Sequence, residues 1–332
     1  MRLRLRCTVG KCGAALALFP ILALIALITP ASQRVRLAPK FSPGESFRYR
    51  IESRTTTTGK TTSPIANPEG GSQSNQTIHL EFRLDVLDVP PAAAGSTATR
   101  LRATYEKSSA ESASDAFDPA QPSIADQYSR VEGRSIEFTL GPGGKLADIK
   151  GLDELLPDRA AAQSMVSWLD GLFPATALPP DGITIGQKWK NERPLDGMPL
   201  TGLVWRTEST YLRDEPCDSS SSINARTAHA VGRPVGCAVI LTRFEISHRG
   251  SPHSDATPED YLRNGLRTSG TWTGSGESLD TISLASGLLV SSTQTSTQDM
   301  DYQITSASSG SSIHRTGQVQ TQSEITLLPN QM

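Results

Sequence analysis

Five histidines, His79, His229, His248, His253 and His314, and four cysteines are the side chains of this 332-residue chain best suited to hold a metal or to assist a nucleophile. Only His248 and His253 are near neighbours, with Asp255 close by, and a metal centre or hydrolase triad needs more than that; a solvated loop is the default. Cys217 and Cys237 enclose nineteen residues rich in Ser, Gly and Ala. An oxidising compartment would let them pair, and in the chain-entropy picture a loop of that size contributes about 3 kcal/mol. The alternative is two free thiols or half of a metal site, although no His or Cys at zinc spacing accompanies them.

Other reactive-looking residues reduce to bland explanations. Glu45, Glu52, Glu81, Asp85, Glu106 and Glu245 could supply the carboxylate pair of a glycosidase, yet each sits on the polar side of a strand-like run. Trp189, Trp205 and Trp272 could stack on sugars, but a tryptophan in an alternating strand is more often core. Gly59-Lys60-Thr61 mimics the end of a phosphate loop; its first glycine would fall at Arg54, and a Thr run replaces the strand-to-helix turn, so it reads as a loop. No G-x-S-x-G, H-E-x-x-H or C-x-x-C occurs. The expectation is no catalytic, cofactor-binding or metal-binding residue, with Cys217 and Cys237 as a disulfide.

The amino terminus fixes the expected compartment. Arg2, Arg4, Arg6 and Lys11 precede an uncharged stretch from Cys12 to Gln33 whose apolar heart, Ala14 to Ile28, is broken only by Pro20. This pattern predicts a secretory leader cut near Ala31, or the same segment kept as a membrane anchor, with the remainder exported. Cys7 and Cys12 lie within it, away from where a lipid-modified cysteine would stand. Without residues 1–31 the chain carries 28 basic and 34 acidic residues, a net of −6. Nucleic acid is therefore not an expected partner, because phosphate binding needs clustered Lys and Arg. The densest remaining basic segment is the arm at 32–40, and membrane contact is expected only through the N-terminal segment if it is uncleaved.

These residues need elements to position them, and the elements read as β. Ile78, Leu80, Phe82, Leu84 and Val86 alternate with His79, Glu81, Arg83 and Asp85, a period of two with one face on a core. Phe47, Tyr49 and Ile51, then Leu101, Ala103 and Tyr105, then Ile136, Phe138 and Leu140 repeat the pattern. The glycine turn at 141–144 predicts a hairpin between Leu140 and Leu146. One segment differs: Met165, Trp168, Leu169 and Leu172 recur at helical spacing, predicting a helix over about 158–172, capped by Asp158. Four Thr-, Ser- and Gly-rich stretches, Thr55–Asn75, Ser108–Asp126, Asp218–Gly236 and Arg249–Pro258, read as long solvated loops.

An internal comparison suggests a duplication. Gly44-Glu-Ser-Phe-Arg48 resembles Gly186-Gln-Lys-Trp-Lys190; Arg102–Glu106 resembles Leu241–Glu245; and Gly133, Ile136, Gly144 and Leu146 map onto Gly276, Leu279, Gly287 and Leu289. Chance likeness of amphipathic strands is the competing explanation. The expected organisation is a leader at 1–31, a basic arm at 32–40, a first β unit at 41–150, a helical linker at 151–182 and a second β unit at 183–328. Together the units would form a mainly β fold, two antiparallel meanders making a strongly curved sheet or open half-barrel.

Phe41-Ser-Pro-Gly-Glu-Ser-Phe-Arg-Tyr-Arg50, the Gly-Gly-Lys-Leu hairpin at Gly143–Leu146 and Ile185-Gly-Gln-Lys-Trp189 resemble a family of exported bacterial β proteins classed as a domain of unknown function. More distantly the architecture is similar to the half-barrel lipoprotein carriers of the LolA and LppX type, a likeness of fold that implies no residue's role. Three functions fit the sequence. The first is a non-catalytic scaffold whose one-sided sheet binds an apolar or lipid-like ligand. The second is an envelope module that binds a protein partner, and the third is an extracytoplasmic hydrolase using an unrecognised carboxylate pair.

Overall fold

Eleven strands follow one another with little helix between them. The computed structural model describes residues 34–62, 71–89, 98–114, 123–141, 144–155, 159–173, 177–195, 198–217, 236–249 and 257–329. The first five strands are β1 (Ser46–Thr62), β2 (Gly71–Asp88), β3 (Thr99–Ser114), β4 (Ser135–Leu140) and β5 (Leu146–Lys150). After them come β6 (Lys188–Pro194), β7 (Leu203–Pro216), β8 (Gly236–His248), β9 (Leu266–Ser283), β10 (Leu289–Ser306) and β11 (Ser312–Leu328). Among the described residues the helices are α1 (Ile124–Ser129), α2 (Leu152–Leu155), α3 (Arg159–Gly171) and α4 (Glu259–Arg263).

All eleven strands join one antiparallel sheet in the order β5-β4-β3-β2-β1-β11-β10-β9-β8-β7-β6. The sheet is open, with β5 and β6 as its edges, so the fold is mainly β and no barrel closes. Its seam is the pairing of β1 with β11, which runs from Arg48 opposite Leu328 to Thr62 opposite His314. Residues Val35–Met332 form one compact unit.

The alternating runs form strands where expected. Leu140 lies opposite Leu146, and the Gly141 amide donates to the Lys145 carbonyl, closing the hairpin. Helix α3 covers much of the predicted span, although Asp158 lies outside the described residues.

Two of the loop expectations are overturned. Thr55–Thr62 and Gly71–Asn75 are strand, the outer halves of β1 and β2, and Ser108–Ser114 completes β3. Lys60 and Thr61 are therefore strand residues, not a loop. The reason is physical: a Thr run has no apolar period, but its β-branched side chains suit a pleated ladder. β1 is hydrogen-bonded on both sides there, to β2 and to β11. The second stretch ends in the short helix α1, Ile124–Ser129, whose start is capped by the Ser123 hydroxyl accepting from the Asp126 amide. Most of the other two stretches, 218–235 and 250–256, lies outside the described residues.

The main core sits on one face of the sheet, here the inner face. Phe47, Tyr49 and Ile51 of β1, Leu80, Phe82 and Leu84 of β2, and Leu101, Ala103 and Tyr105 of β3 are buried against Met165, Leu169, Leu172 and Phe173. Tyr49 stacks on Phe82 with ring centroids 5.6 Å apart, and the Tyr105 hydroxyl donates to Met165 Sδ at 2.7 Å. The N-terminal arm completes the packing. Val35 and Ile183 exchange two backbone hydrogen bonds of 2.8 Å, Leu37 is buried, and the Lys40 amide donates to Ser286 O. Gly287, at φ 69°, lets the arm pass close, because a Cβ there would stand 2.2 Å from the Ala38 carbonyl oxygen. No helix among the described residues is long and apolar enough to cross a membrane.

Candidate functional site

Directly paired residues in an antiparallel sheet share a face, so the strand register sorts every side chain. One row of the inner face runs Ile51, Ile325, Ser292, Asp280, Ile240, Tyr211. The next runs Ser53, Ser323, Gln294, Ser278, Thr242, Ser209, and a further one Thr57, Val319, Gln298, Gly274, Ile246, Trp205. The inner face thus carries three bands: the apolar core under α3, a band of small polar residues, and a second apolar cluster on the β6–β10 side.

The polar band is anchored by Asp280. Ser292 and Ser278 donate their hydroxyls to its carboxylate at 2.6 and 3.3 Å, and no cation among the described residues pairs with it. Burial pushes the Asp280 carboxyl above the ordinary carboxylate range, and the two serines offset only part of that. Nearby, the Tyr211 hydroxyl donates to Asp214, and burial together with that carboxylate holds the phenol well above its usual range. Asp170 at the end of α3 is also pushed up by burial, opposed by the charge of Arg193.

The second cluster is built from rings and thioethers. Leu200, Leu203, Ile246 and Tyr302 are buried, with Leu195, Met198, Trp205, Trp272, Met300 and Ile304 half-buried against them. Trp205 stacks on Phe244 at 4.3 Å, Trp272 on Tyr302 at 5.8 Å, and the Arg193 guanidinium lies 5.6 Å from the Trp205 ring centre. Glycines of β9 make room for these rings: a Cβ on Gly276 would meet Phe244 Cζ at 2.4 Å, and one on Gly270 would meet Tyr302 Cα at 2.5 Å. Beside the cluster lies a cavity of 190 Å³ lined mainly by Leu195, Met198, Leu200, Leu203 and Val204, with Arg249 on its wall. His248, opposite Leu203, keeps a buried Nε2 with no hydrogen-bond partner among the described residues.

The outer face carries ion pairs toward both edges of the sheet. Arg48 bridges Glu81 and Glu106, Arg50 and Lys107 also reach Glu81, and Arg100 and Arg102 share Glu137. Burial is the largest single influence on Glu81 and raises its pKa, but the hydrogen bonds and charges of Lys107 and Arg50 together outweigh it and hold the carboxyl low. Hydrogen bonds from Arg102 lead the same effect on Glu137. Between these flanks a groove of 620 Å³ crosses four strands over Arg54, Gln322, Thr295 and Glu277, and Thr56 and Gln320 beside them.

The residues singled out from sequence are dispersed. Cys217 and Cys237 stand at disulfide distance, Cα atoms 5.1 Å apart. Trp205 and Trp272 fall in the second cluster, whereas Trp189 donates its Nε1–H to Ala177 O at 2.8 Å. His229, His253 and Asp255 lie outside the described residues, and His314 Nε2 sits 2.7 Å from Asp301 on the outer face. Of the carboxylates, Glu81, Asp85 and Glu106 are ion-paired, Glu45 accepts from the Ser42 amide, and Glu52 stands opposite Glu324 and His79. Among the described residues no three of His, Cys, Asp and Glu gather as a metal site. Sequence reading missed Asp280 and the second cluster. The signal available was Gly270, Gly274 and Gly276 sharing one face of β9 with Trp272, a pattern that asks for rings from neighbouring strands.

The chain matches no protein-family model and no curated protein.

Proposed function

We propose that the chain is an exported, non-catalytic β scaffold of the cell envelope that binds an apolar, lipid-like ligand on the inner face of its sheet. The observation that carries this reading is the division of that face. The first apolar band is filled by the protein's own Met165, Leu169, Leu172 and Phe173, whereas the second keeps half-buried Trp205, Trp272, Met300 and Ile304 beside a 190 Å³ cavity. Aromatic and thioether surfaces of this kind adapt to irregular apolar ligands.

The test is mass spectrometry of solvent extracts from the purified exported portion, followed by titration with a fluorescent fatty acid. Expected are a recovered lipid and saturable binding that Trp205→Ala and Trp272→Ala each weaken. A clean extract with no saturable binding would overturn the ligand reading. It would favour the envelope interaction module instead, for which the supporting observation is the 620 Å³ polar groove on the outer face. Turnover of an ester or polysaccharide that a single carboxylate substitution abolishes would favour a hydrolase.

A further inference from the structure

The end of the domain where the N-terminal arm enters is built differently from the rest of the surface. The arm and the 183 segment form an isolated antiparallel bridge at Val35 and Ile183. Alternation turns Val35 and Leu37 toward the protein, the latter buried, and leaves Arg34 and Arg36 exposed on the other side. Neither guanidinium has an ion-pair or hydrogen-bond partner among the described residues, in contrast to the paired arginines of the outer face. Lys40 is exposed too and uses its Nζ only on the Ala285 carbonyl, 3.2 Å away. The stretches 34–44 and 181–187 together contain one carboxylate, Asp181, against these three cations.

Beside them stands an exposed apolar residue. Ile185 is 53% exposed, the largest exposure among the large hydrophobic residues described. It occupies the second position of a tight turn in which the Gln187 amide donates to Thr184 O at 2.9 Å, and Gly186 at φ 82° supplies the left-handed third position. The turn is pinned to the sheet by the Gly186 amide on Tyr211 O at 2.7 Å, so the isoleucine is held outward on a firm support. The uncharged stretch of the leader ends at Gln33, and the first residue fixed to the fold is Val35.

We propose that this end of the folded domain is a membrane-docking surface. Arg34, Arg36 and Lys40 would engage anionic lipid headgroups while Ile185 enters the interface. The contact belongs to the folded domain itself and does not require an uncleaved leader, which widens the membrane contact expected from sequence. Charge complementarity selects a lipid surface over a protein partner: clustered cations near a bilayer each add to attraction by anionic lipid, and a lone large apolar side chain adds a modest insertion. The ligand site proposed above lies on other strands, and neither reading depends on the other.

The test is co-sedimentation of the chain from Ser32 onward, which contains the whole compact unit, with vesicles of phosphatidylglycerol and phosphatidylcholine in equal parts, or of phosphatidylcholine alone. Expected are binding to the anionic vesicles only, release in high salt, and a drop of roughly tenfold in partitioning for R34Q/R36Q. Ile185→Ser should weaken binding by a smaller factor with its salt dependence unchanged. All three substituted positions are exposed, and an unchanged melting midpoint shows that each variant is folded. Equal binding to both vesicle types, no binding of the unmodified chain, or no effect of R34Q/R36Q would overturn the proposal. Displacement by soluble inorganic phosphate at the headgroup concentration would also overturn it, by pointing to a free-anion site.

Discussion

Asp280 is the residue whose chemistry departs furthest from its surroundings. It holds a carboxyl between β8 and β10 with only serine hydroxyls to compensate it, and burial raises its pKa. A carboxyl whose folded pKa exceeds its unfolded value costs stability when both states are ionised, and that cost fades as pH falls through the folded value. Asp280→Asn should therefore raise the melting midpoint at neutral pH, and the advantage over the parent should shrink in mild acid; an advantage that does not change with pH would contradict the assignment. Glu81 and Glu137 have the opposite sign, since their arginine and lysine partners hold them low. Their contribution is present above the unfolded carboxylate pKa and is lost as pH falls through the folded one. At the same scale, Gly276→Ala places a methyl 2.2 Å from Thr295 O and against Phe244, and should cost about 1–3 kcal/mol in urea unfolding. Gly71→Ala, whose nearest atom is 3.8 Å away, should be neutral.

At the scale of elements, the amount of pattern in the sequence decided what could be read from it. β2 was legible because Ile78 to Val86 alternate without a break, and α3 because Met165, Leu169 and Leu172 share one stripe. The outer halves of β1 and β2 were not, because Thr and Ser on both faces give no period, and their strand state comes from partners far away in sequence. The proposed duplication divides in the same way. Phe47 and Trp189 both face inward, as do Tyr105 with Phe244, but Ile136 is buried where its counterpart Leu279 is 39% exposed on the outer face. The second cluster stayed hidden because it assembles from single rings on β7, β8, β9 and β10, of which only Trp205, after Leu203 and Val204, stands in an apolar run. Cys217 and Cys237 bracket β7 and β8, joining the end of one strand to the start of the next. Reduction should lower stability by about 3 kcal/mol in the chain-entropy picture, read as a fall in melting midpoint. Titration of the unreduced, denatured chain from Ser32 onward, which lacks Cys7 and Cys12, that finds two free thiols would remove the basis for that loss.

The whole molecule is one sheet, and that connectivity sets how it unfolds. In chain order the sequence runs from the centre to the β5 edge, crosses through α3 to the β6 edge, and returns to the centre at β11. The two halves therefore meet through the long β1–β11 seam. They also share one hydrophobic core, in which Phe47, Leu84 and Phe138 of the first half belong with Tyr211, Ile240, Ile282 and Leu289 of the second. The Tyr49 hydroxyl donates to Leu289 O across the seam, a buried link at 3.1 Å. Neither half can lose its structure without exposing apolar surface of the other, so the compact unit Val35–Met332 should unfold in a single cooperative transition despite its length. In a Trp168→Phe variant, which removes the tryptophan of α3, Trp189, Trp205 and Trp272 report on the second half by fluorescence, while far-UV circular dichroism follows every strand. The two probes should give coincident midpoints in urea. A fluorescence transition well separated from the dichroism transition would mean that the halves fold as independent domains and that the seam between β1 and β11 couples them only weakly.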